Sequence, residues 1–327
     1  MNETNTRARA YRKGTIDAED FPLADISDYL DDPDTVVWVD MLQPSTHELH
    51  EIAGELGLHE LAVEDAVGPH QRPKVDYYES HKFLSCHAVR LDVDASLLHV
   101  TEIDAFINGR WIVTVRKDDG FDIDRVRRRW DRSAALAGNG VDFLLYGLLD
   151  VVVDDYFDVV QGFDDYYDDV SEALFTEHPL ELSQQRQWFE IRRALVAFHR
   201  IVPPMREMVS SIMRRDHGIV DPEMIPYYQD VYDHVLRIGE STDSLRDLVS
   251  SIVETNLSLR DYRENQIVKK VSSWAAIIAV PAFLTGYFGM NVPYPGSGET
   301  WGFVYSTILI VVGSLSLYAL FKRRGWL

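Results

Sequence analysis

The sequence predicts an α+β cytoplasmic domain, followed by a long stalk helix and two C-terminal transmembrane helices. Three observations carry that expectation. Short β-branched and aromatic runs fill residues 35–118, a sustained 3–4 apolar spacing begins near Tyr227, and two long uncharged runs close the chain. Together they divide the sequence into a large polar part and a small apolar tail.

Charge sharpens the division. The 327 residues include 32 Lys and Arg against 53 Asp and Glu, a net charge of −21 that argues against a nucleic-acid-binding surface. The first 268 residues carry −25, whereas the last 59 carry +4. With 46% hydrophobic and 26% charged residues the chain is expected to fold rather than stay disordered. The single cysteine, Cys86, excludes an internal disulfide and a cysteine-ligated metal cluster. The opening run from Met1 to Lys13 is polar, so no secretory leader is expected.

Residues 1–125 read as a cytoplasmic α/β domain. Val36–Met41, Phe83–Leu91, His99–Ile107 and Trp111–Val115 are its expected strands, and His47–Leu56 is an expected helix. Residues 126–226 read as helical, with long helices over Phe143–Phe175 and Gln185–Arg215, the second interrupted by Pro203 and Pro204. Residues 227–270 form the stalk. Positions 231, 235, 238, 242, 245, 249, 252, 256 and 259 are apolar in seven cases of nine, the spacing of a long packed helix or coiled-coil seam.

Residues 271–290 and 301–321 are runs of 20 and 21 uncharged residues, each about the ~20 a membrane helix needs. Residues 291–300 join them in a short Pro- and Gly-rich loop, so the two helices are expected to form an antiparallel hairpin. Lys269 and Lys270 precede the first span, and the basic tail 322–327 follows the second with Lys322, Arg323 and Arg324. The positive-inside rule then places both termini in the cytoplasm of a multi-pass protein of the cell inner membrane. The outer loop carries one carboxylate, Glu299.

The 3–4 spacing continues through the membrane as Asn265, Val268, Ser272, Ala275, Ala279, Ala282, Gly286 and Gly289, all small or neutral-polar. Bulky Trp274, Ile277, Ile278, Phe283 and Leu284 fall off this stripe. Such a face serves either close helix packing or the lining of a narrow axial channel. Two spans cannot enclose a conduit, so a conducting protein requires several copies around an axis.

The first span ends Gly286-Tyr287-Phe288-Gly289-Met290-Asn291, and the chain ends Lys322-Arg323-Arg324-Gly325-Trp326-Leu327. With His70-Gln71-Arg72-Pro73-Lys74-Val75 and Asp230-Val231-Tyr232-Asp233-His234, the sequence resembles the CorA family of divalent-cation channels over nearly its whole length. The resemblance implies a homopentamer in the lipid bilayer that takes up Mg²⁺, with Co²⁺ and Ni²⁺ as further cargo. It places Gly289, Met290 and Asn291 at the selective mouth, where a ring of Asn291 carbonyls accepts hydrogen bonds from a hydrated ion. Mg²⁺ sheds water reluctantly, which suits an amide better than a carboxylate. Asn291 is equally suited to a helix C-cap. The resemblance also implies a regulatory Mg²⁺ site between subunits, formed by Asp230 and an acid near Asp92 of a neighbour, with Glu254 at a second acidic site. Feedback inhibition by cytosolic Mg²⁺ is the expected consequence.

Some residues depart from the family pattern. Phe288 stands where a tyrosine is commoner, and Val268 and Ala279 are smaller than the usual hydrophobic gates, so gating is expected to be weaker or shifted to Val271. Zn²⁺ transporters of the same superfamily share the triplet and the architecture. The nine acids Asp150, Asp154, Asp155, Asp158, Asp164, Asp165, Asp168, Asp169 and Glu172 form either a solvated face or a weak cation sink facing the basic collar. An enzyme is not expected. His47-Glu48-Leu49-His50 is one residue short of the zinc-protease spacing, and no phosphate loop or dinucleotide fingerprint occurs. A third reading, an acidic regulatory protein merely anchored by the hairpin, predicts tolerance of Asn291→Asp.

Overall fold

The computed structural model describes residues 6–68, 71–173, 182–214, 220–290 and 292–327. Asn291 and His70 lie outside the described residues, as do Phe175 and Arg215, the ends of two expected helices. The chain divides into two units, Met1–Val249 and Ser250–Leu327.

In the first unit one sheet is built from β1 (Thr6–Arg12), β2 (Thr15–Glu19), β3 (Thr35–Leu42), β4 (Lys74–Tyr77), β5 (Lys82–Asp92), β6 (Leu97–Ile107) and β7 (Trp111–Arg116). Their spatial order is β2-β1-β3-β7-β6-β5-β4, antiparallel except where β3 meets β7. Period-two alternation sorts the side chains. Val37, Val39, Met41, Phe83, Phe106, Val113 and Val115 bury one face against α1 (Ile26–Leu30), α2 (Thr46–Leu56) and α3 (Glu60–Val67). The opposite pleat carries Trp38, which meets Trp130 of α4 (Ile123–Arg132) edge-on at 5.0 Å. On that side α5 (Gly140–Ala173) donates the Tyr156 hydroxyl to the His87 carbonyl at 2.6 Å.

Four strands were expected, and the described residues form seven. β1 was missed because Arg7, Arg9 and Arg12 disguise it. Arg9 is buried, and its charge is met by Glu19 and by Asp131 at 2.8 Å, partners that the local sequence does not announce. Glu48, Leu49 and His50 of α2 also find ordinary uses. Glu48 closes a capping box with Ser45, Leu49 enters the core, and His50 Nδ1 meets the Thr46 carbonyl at 2.6 Å.

Helix α6 (Leu182–Ile212) runs on through Pro203 and Pro204, contrary to the expected interruption. Ile201, Val202 and Met205 are buried around the two prolines, so packing outweighs the missing N–H donors. Helix α7 (Ile225–Phe288) follows as one 64-residue element. Its apolar seam, Val231, Val235, Ile238, Thr242, Leu245 and Val249, is buried within its own subunit and is therefore not a free coiled-coil surface. Val202 Cγ1 would lie 3.7 Å from a Cβ at Gly239, and His199 meets Asp243 at 3.0 Å.

A buried polar group sits where β5 and β6 run beneath α3. Ser85 pairs with Asp104 and His87 with Glu102 across the strands. Lys117 lies 3.4 Å from Asp104 and 3.8 Å from Glu102, and donates to the Ala66 carbonyl and, at 3.1 Å, to that of Gly68. Two buried carboxylates thus share one ammonium. Burial, reinforced by Glu102 and opposed by Lys117, pushes the Asp104 carboxyl up to about 7. A folded-state value above the unfolded one means that the native state holds the extra proton, so this group's contribution falls as pH rises from about 4 to about 7. Asp104→Asn should therefore flatten the loss of thermal midpoint between mildly acidic and mildly alkaline buffer. Identical pH profiles for variant and wild type would refute the assignment.

Candidate pore lining and cation-binding sites

Among the described residues three helices are long and apolar enough to cross a membrane, and burial separates them. The apolar window of α5 is 67% buried, whereas that of α7 is 6% and that of α8 (Thr300–Arg323) is 0%. The α5 window is a core segment, while those of α7 and α8 leave their apolar surface for lipid or for other copies.

Within the second unit, α8 covers one face of α7. Ser273 is buried, Ala276, Ile277, Val280 and Leu284 are half-buried, and Val280 Cγ1 comes within 3.3 Å of where a Cβ on Gly313 would stand. The small-residue stripe lies on the far side. Asn265, Val268, Ser272, Ala275, Ala279, Ala282, Gly286 and Gly289 are all exposed, and a Cβ on Gly286 would meet nothing within 4 Å. Trp274, Ile278 and Phe283, at 53%, 66% and 72% exposure, flank the stripe instead. One helix therefore presents a packed face, a bare narrow face and bulky apolar shoulders.

At the outer end, Gly289 closes the helix by donating its N–H to the Thr285 carbonyl at 2.9 Å. A Cβ there would stand 2.8 Å from that same oxygen, so the position excludes larger side chains. Met290 is exposed. The loop turns back tightly, since a Cβ on Gly302 would fall 2.2 Å from the Gly296 carbonyl oxygen. Tyr294 packs on Phe288 with ring centroids 5.3 Å apart. This tyrosine was missed in the sequence, because its approach depends on the turn. An open cavity of about 670 Å³ lies here, lined by Thr285, Gly289, Tyr294, Glu299, Ser306 and Thr307 among others. Glu299 precedes α8 and leaves its carboxylate exposed.

Each of the expected regulatory acids has its own local setting. Asp92 ends β5 and accepts a hydrogen bond from the Ala95 N–H at 2.9 Å. Asp230 lies on α7 with its side chain 61% exposed, 3.7 Å from His234 of the next turn. Glu254 is exposed further along that helix. Among the described residues no three His, Cys, Asp or Glu side chains gather around a common point. Single exposed carboxylates nonetheless suit Mg²⁺, which keeps several waters and accepts one or two carboxylates.

The acidic run on α5 has two functions. Asp150 is buried and paired with Arg129, and Asp155 is half-buried with Arg125 at 2.5 Å, both arginines reaching across from α4. Burial, together with Asp154 and Asp230, pushes the Asp150 carboxyl up to about 6 against the pull of Arg129 and His234. The other seven acids are exposed, as a solvated face requires. The collar residues Lys322, Arg323 and Arg324 are also exposed.

Residues 33–323 match the family model described as CorA-like Mg²⁺ transporter protein. The cobalt/magnesium transport protein CorA of Thermotoga maritima is 30% identical over 302 residues, covering 90% of this chain and 85% of that protein. A zinc transport protein, ZntB of Yersinia pseudotuberculosis, is 24% identical and covers 83% of this chain and 81% of its own length. In fold, the CorA magnesium transporter structure from Methanocaldococcus jannaschii superposes with a TM-score of 0.79 at 21% identity, covering 100% of both chains. These matches bear out both the resemblance and the architecture of α/β domain, long helix and apolar C-terminal helices: the chain belongs to the CorA-like family of Mg²⁺ transporters.

Proposed function

We propose that several copies of this chain, five by analogy with the family, surround an axial passage that admits Mg²⁺ into the cell passively. The observation that carries this reading is the bare stripe of α7, turned away from the face that α8 covers. Small side chains leave room for a hydrated ion, and the absence of charge from Val271 to Met290 leaves nothing to trap it. Gly289, Met290 and Asn291 form the mouth, with Asn291 amide oxygens receiving the ion's water shell. An inside-negative potential supplies about 4.6 kcal/mol per 100 mV to a double charge, so no nucleotide is needed. Both termini lie in the cytoplasm of the inner membrane.

Flux into liposomes tests this reading, with Mg²⁺, Co²⁺, Ni²⁺ and Zn²⁺ compared with and without a proton gradient. Potential-driven Mg²⁺ entry is expected. Zn²⁺ flux that requires the gradient would favour the second reading, a Zn²⁺ transporter, which the likeness to ZntB keeps open.

Closure depends on ions between subunits. Asp230 and a neighbour's Asp92 share a hydrated Mg²⁺, with Glu254 at a second site, and loss of these ions lets like charges push the subunits apart. Asp92→Ala combined with Asp230→Ala should leave flux high at cytosolic Mg²⁺ that silences the wild type. Unchanged inhibition in patch recordings would rule out this pair.

A further inference from the structure

The last residues fold back onto α8. Arg324 donates its N–H to the Leu320 carbonyl at 3.1 Å, Gly325 to that of Lys322 at 3.2 Å, and Trp326 to that of Phe321 at 3.0 Å. Gly325 has φ +67°, which makes this a Schellman ending, in which the residue after the left-handed glycine returns to the helix. The Trp326 ring stacks on Phe321 with centroids 5.6 Å apart and planes 8° from parallel. The Lys322 ammonium lies 5.7 Å over the Tyr318 ring. The chain end is thus an ordered aromatic step bordered by three cations.

Two further cations stand at the same level. Val280 and Gly313 face each other across the hairpin. Lys269 and Lys270 lie ten or eleven residues before Val280, about 15–17 Å along α7. Lys322 to Arg324 lie nine to eleven residues after Gly313, about 14–17 Å along α8. Helices running in opposite directions bring both clusters to one depth, at the end of the apolar surface. Among the described residues none of the five makes an ion pair, whereas Arg260, about two and a half turns deeper in the stalk, pairs with Glu264 at 3.3 Å. The acid of this region, Glu299, is at the other end of the hairpin.

We propose that Lys269, Lys270, Lys322, Arg323 and Arg324 form a binding site for anionic phospholipid headgroups, with Trp326 and Tyr318 seated in the interface beside them. The inference rests on reading α7 and α8 as membrane spans. Charge selects the occupant: the first 268 residues carry −25 and repel an anionic leaflet, so these five cations must supply the attraction. Tryptophan and tyrosine are the residues that settle at the headgroup level. A basic side chain near such a surface strengthens association roughly five-fold.

The test uses the full chain, reconstituted in phosphatidylcholine vesicles with a minor fraction of phosphatidylglycerol, extracted gently and examined by native mass spectrometry. Phosphatidylglycerol should be retained several-fold above its share of the bilayer. High salt should abolish the enrichment, and millimolar inorganic phosphate should not. The K269Q/K270Q/K322Q/R323Q/R324Q protein should lose the preference, whereas K269R/K270R/K322R/R323K/R324K should keep it. Equal retention of both lipids by the wild type, an unchanged preference in the glutamine variant, or displacement by inorganic phosphate would overturn the site. Should the glutamine variant fail to assemble, the salt titration of the wild type decides. Mg²⁺ flux in the same vesicles separates the two readings. Flux without enrichment removes the lipid site alone, and enrichment without flux removes the channel alone.

Discussion

An Ala279→Lys protein in liposomes should pass Mg²⁺ at less than about a hundredth of the wild-type rate. Ala279 lies midway along the bare face of α7 and makes no packing contact that a longer side chain would break within its own subunit. In a ring, each copy brings one ammonium to the axis. A single positive charge ~5 Å from a divalent ion costs about 1.7 kcal/mol even at the dielectric constant of water. Two of them already exceed two orders of magnitude in rate. Ala279→Ser adds bulk and no charge, and should conduct. The oligomer should remain intact by size-exclusion chromatography in both variants. Undiminished Mg²⁺ flux through an assembled Ala279→Lys protein would show that this face does not meet the ion.

The second large effect concerns stability, at the junction of β3 and β7. Asp40 and Arg116 are both buried, joined by contacts of 2.7, 3.1 and 3.2 Å. Thr114 adds a hydroxyl to Asp40 at 2.8 Å, and Arg116 also donates to the Phe121 carbonyl at 3.1 Å. Arg116→Met strands a carboxylate in the protein interior, a loss of about 3–5 kcal/mol. Asp40→Leu with Arg116→Met removes both charges and should recover much of that loss, because the pair's attraction mainly offsets its own desolvation. Urea denaturation followed by circular dichroism of the α/β unit's signal reads both. A double variant no more stable than Arg116→Met would contradict the argument.

What the sequence disclosed follows the range of the forces involved. Strands β3, β5, β6 and β7 were visible because β-branched runs report burial on both pleats, and α7 was visible because its spacing held for many turns. β1 and the path of α6 through Pro203 and Pro204 were not, since partners distant in sequence decide them. The stripe from Asn265 to Gly289 was legible as a pattern, but only the position of α8 shows which face is left bare. Tyr294 against Phe288, the Glu102–Asp104–Lys117 group and the folded-back Trp326 all depend on turns and cross-strand register. Charged residues inside an otherwise apolar strand, here Glu102 and Asp104 in β6, are the signal by which the buried group could have been suspected.

Cysteines placed one at a time from Val271 to Gly286 put the central claim to its most direct test. The native Cys86 is fully buried, and burial pushes its thiol far above the ordinary range, so it stays silent toward a charged thiol reagent. Reagent applied during Mg²⁺ flux should block at positions 275, 279, 282 and 286 and spare 274, 278 and 283. Block that instead follows Trp274, Ile278 and Phe283, with the stripe positions unreactive, would contradict the account.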